Sequence, residues 1–154
     1  MPIRILFTGN TTEKYVESAT EVYLSRLRRY HKIAVEIIST KKGLIDVNQI
    51  KKSDGLQILS KLKKTDFVIL LDETGQQYSS KELAGKIEVM LTKSAGDIVF
   101  VIGGAYGFDT PVYERANEKF ALSKMTFTHQ MVRLIFIEQL YRAFTIIRNE
   151  NYHH

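Results

Sequence analysis

Cysteine is absent from this chain of 154 residues. Disulfides, thiolate metal sites and a cysteine nucleophile are therefore excluded, and with them any attack on a nucleobase through a thiolate. Apolar runs of membrane-spanning length, roughly 20 residues, are missing too. The N-terminus also lacks the succession of basic, apolar and small residues that makes a signal peptide. A cytoplasmic protein without membrane contact is expected. No internal repeat, low-complexity tract or linker interrupts the sequence, so residues 1–154 are expected to form a single domain. Metal ligation is not expected, because no second His, Asp or Glu stands at ligand spacing beside His129.

What is present has near-average globular composition, 44% hydrophobic and 25% charged, with a net charge of +5. The basic excess lies in the N-terminal half. Its densest piece is Arg26-Leu27-Arg28-Arg29-Tyr30-His31-Lys32, where cations flank an aromatic ring as on a phosphate-contacting surface. The same cations would equally complement the dipole at a helix C-terminus.

Strand-like and helix-like segments alternate along the chain. Residues 3–8 read as a strand, after which Gly9 turns into a helix whose start is signalled by Asn10 with Glu13 three residues on. Tyr15, Val16, Ala19, Val22, Tyr23, Leu27 and Tyr30 recur at helical spacing. A strand over 33–39, a polar loop over 41–46 and a weaker helix over 47–63, interrupted by Gly55, come next. The buried strand 67–71 then leads into an exit loop, 72–75. Ser79 and Glu82 form a capping box, Thr110-Pro111 starts a short helix to about residue 119, and 120–122 reads as a brief fifth strand. Such alternation predicts an α/β fold, a mainly parallel sheet flanked by helices, with ligands bound beyond the carboxyl ends of the strands.

Two loops lie at those ends. The apolar run Ile98–Ile102 breaks into Gly103-Gly104-Ala105-Tyr106-Gly107, three glycines in five residues. The turn is neither G-x-G-x-x-G nor a P-loop, which disfavours a plain nucleotide-phosphate site. Paired glycines let the backbone approach a ligand, or simply make a tight connection. The second loop, Ser123 to Gln130, is polar between two apolar segments.

The last helix, about 129–148, is apolar almost all round, from Met131 and Val132 to Ile146 and Ile147, with Glu138, Arg142 and Thr145 as a narrow polar strip. Such a helix is buried on more than one side, which points to a second copy of the chain on its outer face. Glu138 and Arg142 are spaced for an intrahelical ion pair. Arg133, alone among apolar neighbours, needs a partner or a ligand anion. His129 at a helix start is more readily a structural hydrogen-bonder than a catalyst.

Ile102-Gly103-Gly104, the loop Leu122-Ser123-Lys124-Met125-Thr126-Phe127, His129-Gln130-Met131-Val132-Arg133 and Glu138-Gln139-Leu140-Tyr141-Arg142-Ala143 together resemble the ribosomal RNA large-subunit methyltransferase H family of SPOUT-class enzymes. The likeness runs the whole length, to Tyr152-His153, with departures at Thr128, where the family often has proline, and at Asn151. It implies a SPOUT-type α/β fold with a C-terminal trefoil knot, a topology that physical reasoning rules out by default. It further implies a homodimer that transfers a methyl group from S-adenosylmethionine to N3 of a pseudouridine in helix 69 of 23S rRNA, on the assembled ribosome. Carried over residue by residue, the cofactor would contact Leu71, Gly103 and the run Leu122, Ser123, Lys124, Met125, Thr126 and Phe127, to which the close backbone approach allowed by paired glycines adds Gly104. Tyr152 and His153 would support the target base and Arg142 would orient it or stabilise developing negative charge. On the charge pattern of the basic segment, Arg26, Arg28 and Arg29 would contact RNA. Two rivals are an RNA-binding factor without a cofactor site, against which the intact glycines argue, and a flavodoxin-like binder, which should carry a phosphate loop where this chain has Gly9-Asn10-Thr11-Thr12.

Overall fold

The computed structural model describes residues 1–153. Five strands, β1 (Ile3–Thr8), β2 (Ile33–Ile38), β3 (Phe67–Gln76), β4 (Ile98–Ile102) and β5 (Glu118–Phe120), form one sheet in the order β2-β1-β4-β3-β5. Every pairing is parallel. The helices are α1 (Lys14–Leu27), α2 (Val47–Ser60), α3 (Ser80–Lys93), α4 (Thr110–Arg115) and α5 (His129–Ile147).

Alternation along the strands builds two cores. Ile3, Ile5, Phe7, Ile69, Leu71, Ile98, Phe100 and Ile102 face one way and pack with Leu24 and Leu27 of α1, Leu83 and Ile87 of α3, and Phe136 and Leu140 of α5. Leu6, Val68, Leu70, Val99 and Val101 face the other way, onto Ile58 of α2 and Val112 of α4. The sheet is thus a middle layer, with α1, α3 and α5 on one face and α2 and α4 on the other. Arg4, the one cation inside a central strand, is bonded to Glu36 at 2.7 Å, Asp66 at 3.1 Å and the Lys61 carbonyl at 2.8 Å.

Several boundaries differ from the sequence reading, each for a tertiary reason. Helix α1 is capped by Glu13 without a side-chain bond, not by Asn10. The Gln130 side chain takes up the local groups instead, accepting from the Thr12 N–H at 2.8 Å and donating to the Asn10 carbonyl at 3.2 Å. Helix α4 is capped at Asp109 and ends at Arg115. Strand β5 then starts two residues earlier than expected, because the Asn117 side chain and backbone both bond Val68 and lock the edge to β3. Strand β3 resumes pairing after the expected exit loop: Leu71 and Gln76 both oppose Phe120, so residues 72–75 bulge outward from the sheet edge. Helices α1 and α2 also stop sooner than their apolar periodicity suggested. Gly55 inside α2 has a packing reason, since a Cβ there would lie 3.2 Å from Asp109 Cβ and 3.3 Å from Val112.

Candidate functional site

Strand β4 has a special place in this sheet. Its two neighbours, β1 and β3, each continue into a helix on the α1/α3/α5 face, whereas β4 continues into α4 on the opposite face. A crevice opens at the carboxyl end wherever adjacent strands diverge in this way. The turn after β4 therefore has a crevice on each side.

The crevice on the β3 side is a cavity of about 360 Å³. Leu71, Gly103, Gly104, Leu122, Ser123, Met125, Thr126 and Phe127 all line it, so eight of the nine residues expected to hold a cofactor come together. Lys124 does not: the Ser123 hydroxyl accepts the Met125 N–H at 3.0 Å, and the tight loop this makes leaves Lys124 exposed at its tip. The floor is apolar, with Ile102, Phe120 and Val132 beside Leu71 and Leu122. The rim is acidic. Asp72 and Glu73 stand in it, from the outward bulge of β3, and no lysine or arginine does.

Those carboxylates are held. The Thr126 hydroxyl donates to Glu73 at 3.0 Å, tying the second loop across to β3. Asp72 accepts from the Thr74 backbone at 2.9 Å and from the Tyr113 hydroxyl. Burial pushes the Asp72 carboxyl up, but the hydrogen bonds from Thr74 and Tyr113 and the nearby Lys119 outweigh it and leave the pKa below its ordinary value. Tyr113, partly desolvated and donating to that carboxylate, is correspondingly raised to about 12. The rim thus carries fixed negative charge.

The glycines play different parts. A Cβ on Gly103 would meet the Phe108 ring at 3.0 Å, so this glycine makes room for Phe108, itself part of the cavity wall, rather than directly for a ligand. Gly107 needs its freedom for a φ of 79°. A Cβ on Gly104 would stand 3.9 Å from both Thr8 and Asp54, on the other side of the turn.

His129 lies at the junction of both crevices, and no hydrogen bond reaches its ring among the described residues, contrary to a structural hydrogen-bonding role. Burial and the charge of Arg133 hold its pKa below 6.5. Thr128 replaces the expected proline as a cap, its hydroxyl accepting from the Met131 N–H at 3.2 Å. Arg133 is 1% exposed and has no carboxylate partner among the described residues. It donates to the Thr8 carbonyl at 2.8 Å and the Thr11 hydroxyl at 2.9 Å, lies over Phe7 at 4.8 Å, and burial lowers its pKa to about 10.

Arg142, Tyr152 and His153 form a separate cluster. Glu138 accepts from Arg142 at 2.8 Å and from the Tyr152 hydroxyl at 3.0 Å, while Arg142 Nη1 lies 3.3 Å from His153 Nδ1. The guanidinium also stacks 4.7 Å over the Tyr152 ring. The ion pair between Glu138 and Arg142 is the one its spacing predicts; that Glu138 also holds Tyr152 was not legible. Burial, Tyr23 and Glu138 together raise the Tyr152 pKa well above its ordinary value. Arg26, Arg28 and Arg29 are exposed on the neighbouring end of α1, Arg26 lying over Tyr23 and Tyr141 and Arg28 paired with Glu21 at 3.1 Å. His129 and Arg142 are 13 residues apart on one helix, or about 20 Å. Cavity and cluster occupy opposite ends of α5.

Cavities beside one strand's exit turn in a doubly wound α/β layer are where proteins of this architecture bind small ligands. The sequence model described as "Predicted SPOUT methyltransferase" matches residues 1–153. The chain belongs to the SPOUT methyltransferase family. It is 48% identical to a protein of Christiangramia forsetii and 46% identical to one of Flavobacterium johnsoniae, covering 100% of this chain and 99% of each relative. Both are named ribosomal RNA large subunit methyltransferase H. Among solved structures, a probable methylase family protein from Haemophilus influenzae superposes with a TM-score of 0.58 at 14% identity, over 96% of this chain and 66% of the other. A tRNA (m1G37) methyltransferase from Aquifex aeolicus gives 0.58 at 16%, over 92% and 70%. These two show a shared fold.

An NMR titration should give His129 a pKa below 6.5. Its unfolded state then binds the proton more readily, so this residue costs stability as pH falls from 6.5 toward its folded value. Replacing His129 by Gln should flatten that part of the stability profile. Gly103→Val should displace Phe108 into the cavity and abolish cofactor binding by calorimetry; unchanged affinity would place the cofactor elsewhere.

Proposed function

We infer that the protein transfers a methyl group from S-adenosylmethionine to large-subunit ribosomal RNA, and that its target is N3 of a pseudouridine in helix 69 of 23S rRNA, on the assembled ribosome in the cytoplasm. The observation that carries this reading is the convergence of eight expected cofactor residues on one cavity in a chain related over its full length to large-subunit rRNA methyltransferases. The donor fits the cavity. Its charge at neutral pH is net positive, which suits the carboxylates Asp72 and Glu73, and the apolar floor suits an aromatic base.

When bound, S-adenosylmethionine supplies an electrophilic methyl, so the chain need not supply a nucleophile or a metal. What remains is positioning, exclusion of water and handling of one proton. The loop from Leu122 to Phe127, tied to β3 through Thr126 and Glu73, covers the apolar floor. The acceptor N3 must lose its imide proton. The Arg142, Tyr152 and His153 cluster offers a ring nitrogen for that proton and a guanidinium for the charge that develops on the base.

That cluster can serve the cavity only from a second subunit. On α5, Met131, Leu134 and Ile135 are apolar and half-exposed, and Glu138 and Arg142 continue the same face. An isologous contact centred on this face sets Arg142 of one chain beside the His129 end of the other. We therefore place each site between two subunits, with the cavity from one and the tail from the other. The strand order is compatible with the trefoil knot that belongs to this reading.

Calorimetry with S-adenosylmethionine, followed by transfer of labelled methyl to ribosomes lacking the modification, tests the activity; absence of both rejects it. Ile135→Asp should give a folded monomer by sedimentation. Ile137, fully buried in the monomer, is not part of the dimer face, and Ile137→Asp should instead unfold the chain, at a cost of several kcal/mol for an unpaired buried carboxylate. Charge reversal at Arg26, Arg28 and Arg29 should weaken ribosome binding and flatten its salt dependence without altering cofactor affinity. Unchanged ribosome binding would return these residues to a role at the helix end.

A further inference from the structure

The excess positive charge of this chain lies in one segment. From Lys41 to Lys64 there are seven lysines and two aspartates, an excess of five that equals the net charge of the whole chain, so the remaining residues are electrically balanced. The lysines belong to one side of the molecule: Lys41 and Lys42 in the loop after β2, Lys51 and Lys52 in the first half of α2, and Lys61, Lys63 and Lys64 just beyond its end. All but Lys51 are exposed. Lys63 approaches Asp97 at 3.7 Å, and none of the other six has a carboxylate within ion-pair distance among the described residues. Of the two aspartates, Asp46 is the N-cap of α2, accepting from the Gln49 N–H at 3.0 Å, and Asp54 is half-buried. A largely uncompensated positive field therefore runs the length of α2, 14 residues, or about 21 Å.

The upper end of this stripe adjoins the β4 turn. The crevice on that side is a second cavity, of about 310 Å³, lined by Lys41, Leu44 and Lys51, with Thr8 and Asp54 among its other residues. Gly43 turns the chain there at a φ of 85°, and with Leu44 set into the cavity wall the next residue, Ile45, is left 93% exposed, more than any other large hydrophobic among the described residues. The loop thus has an apolar tip beside Lys41 and Lys42. Apart from Val47 and Leu56, the exposed side of α2 is polar, with Asn48, Gln49, Lys52, Gln57 and Ser60. Cations interleaved with amides and a hydroxyl suit phosphate and ribose oxygens, whereas a lipid surface calls for a continuous apolar face. The stripe lies on the α2/α4 face of the sheet, so pairing of two chains through α5 on the other face leaves it open.

We propose that loop 41–46 and the exposed side of α2 dock the enzyme on the phosphate backbone of ribosomal RNA, with Ile45 against the face of a base or sugar. The proposal rests on the methyl-transfer reading above and extends it. The lysines supply affinity without sequence preference, and Ile45 supplies the apolar contact at the tip. This surface is separate from Arg26, Arg28 and Arg29, because α1 packs on the opposite face of the sheet.

Cosedimentation with ribosomes across a salt series tests this for Lys42→Glu/Lys52→Glu, Lys61→Glu/Lys64→Glu and Ile45→Ser, with calorimetry for S-adenosylmethionine on the same proteins. A poly(A)·poly(U) duplex and phosphatidylserine vesicles serve as rival partners. Every side chain changed is exposed, and circular dichroism checks that the fold is kept. Each double reversal should weaken ribosome binding on the order of tenfold, reduce the slope of log affinity against log salt by about two, and weaken duplex binding in step. Ile45→Ser should weaken ribosome binding with the slope unchanged. Affinity for S-adenosylmethionine should stay as in the parent protein. Unaltered ribosome affinity and slope in both double variants would overturn the docking surface. Weakened ribosome binding with unaltered duplex binding would also overturn it, by giving the surface to a ribosomal protein, as would an effect confined to the vesicles. A parent protein that docks through these lysines yet neither binds S-adenosylmethionine nor transfers methyl would reject the activity and leave the docking surface standing.

Discussion

The structure depends on one topological constraint, the divergence of β4 from both its neighbours. Because β1 and β3 lead to helices on one face and β4 leads to α4 on the other, no helix can close over the sheet beside the β4 terminus. The chain must turn there in little space, and Gly103, packed against Phe108, and Gly107, at positive φ, allow it. Two crevices follow from that single reversal. Their opposite charge comes from what each neighbour supplies: the β3 bulge brings Asp72 and Glu73, while the segment after β2 and helix α2 bring Lys41 and Lys51.

Helix α5 joins the parts. Its first turn closes both crevices through His129, and Gln130 and Arg133 pin the segment after β1, which would otherwise be a free loop. Its middle, at Phe136, Ile137 and Leu140, is buried against the sheet, each side chain contributing roughly 1.5–3 kcal/mol of burial. Glu138, in that middle, and Arg142, one turn further on, fix the returning tail at Tyr152 and His153. One helix therefore holds a cavity toward one end and a polar cluster toward the other, and the proposed symmetric pairing of such helices would bring the unlike ends together.

The sequence pattern made the architecture legible because a parallel sheet buried on both faces leaves apolar runs with few competing explanations, as at Phe67–Leu71 and Ile98–Ile102. What it missed involved contacts between distant segments. The Asn10 and Glu13 spacing looked like a helix start, yet Gln130 takes the groups that would have made it. Glu118-Lys119-Phe120 has a single apolar residue and is a strand only because β3 and Asn117 hold it. Lys124 shares a loop with residues that line the first cavity but sits at its tip. Ile135 and Ile137 are alike in sequence, and only the placement of α5 on the sheet puts one outside and the other in the core. The second cavity draws on Thr8, Lys51 and Asp54, which no local pattern connects.

The central claim is that each active site is built from two subunits, and a mixed dimer tests it most directly. One chain would carry Gly103→Val with its tail intact, and the other would keep its cavity but end at Asn151. Each homodimer should be inactive, and the truncated one should still bind S-adenosylmethionine. In the mixed dimer the intact cavity of the second chain meets the intact tail of the first, so methyl transfer to ribosomes should return at up to one site per dimer. Confirmed mixed dimers that remain inactive would place cavity and tail within one chain and contradict the shared site.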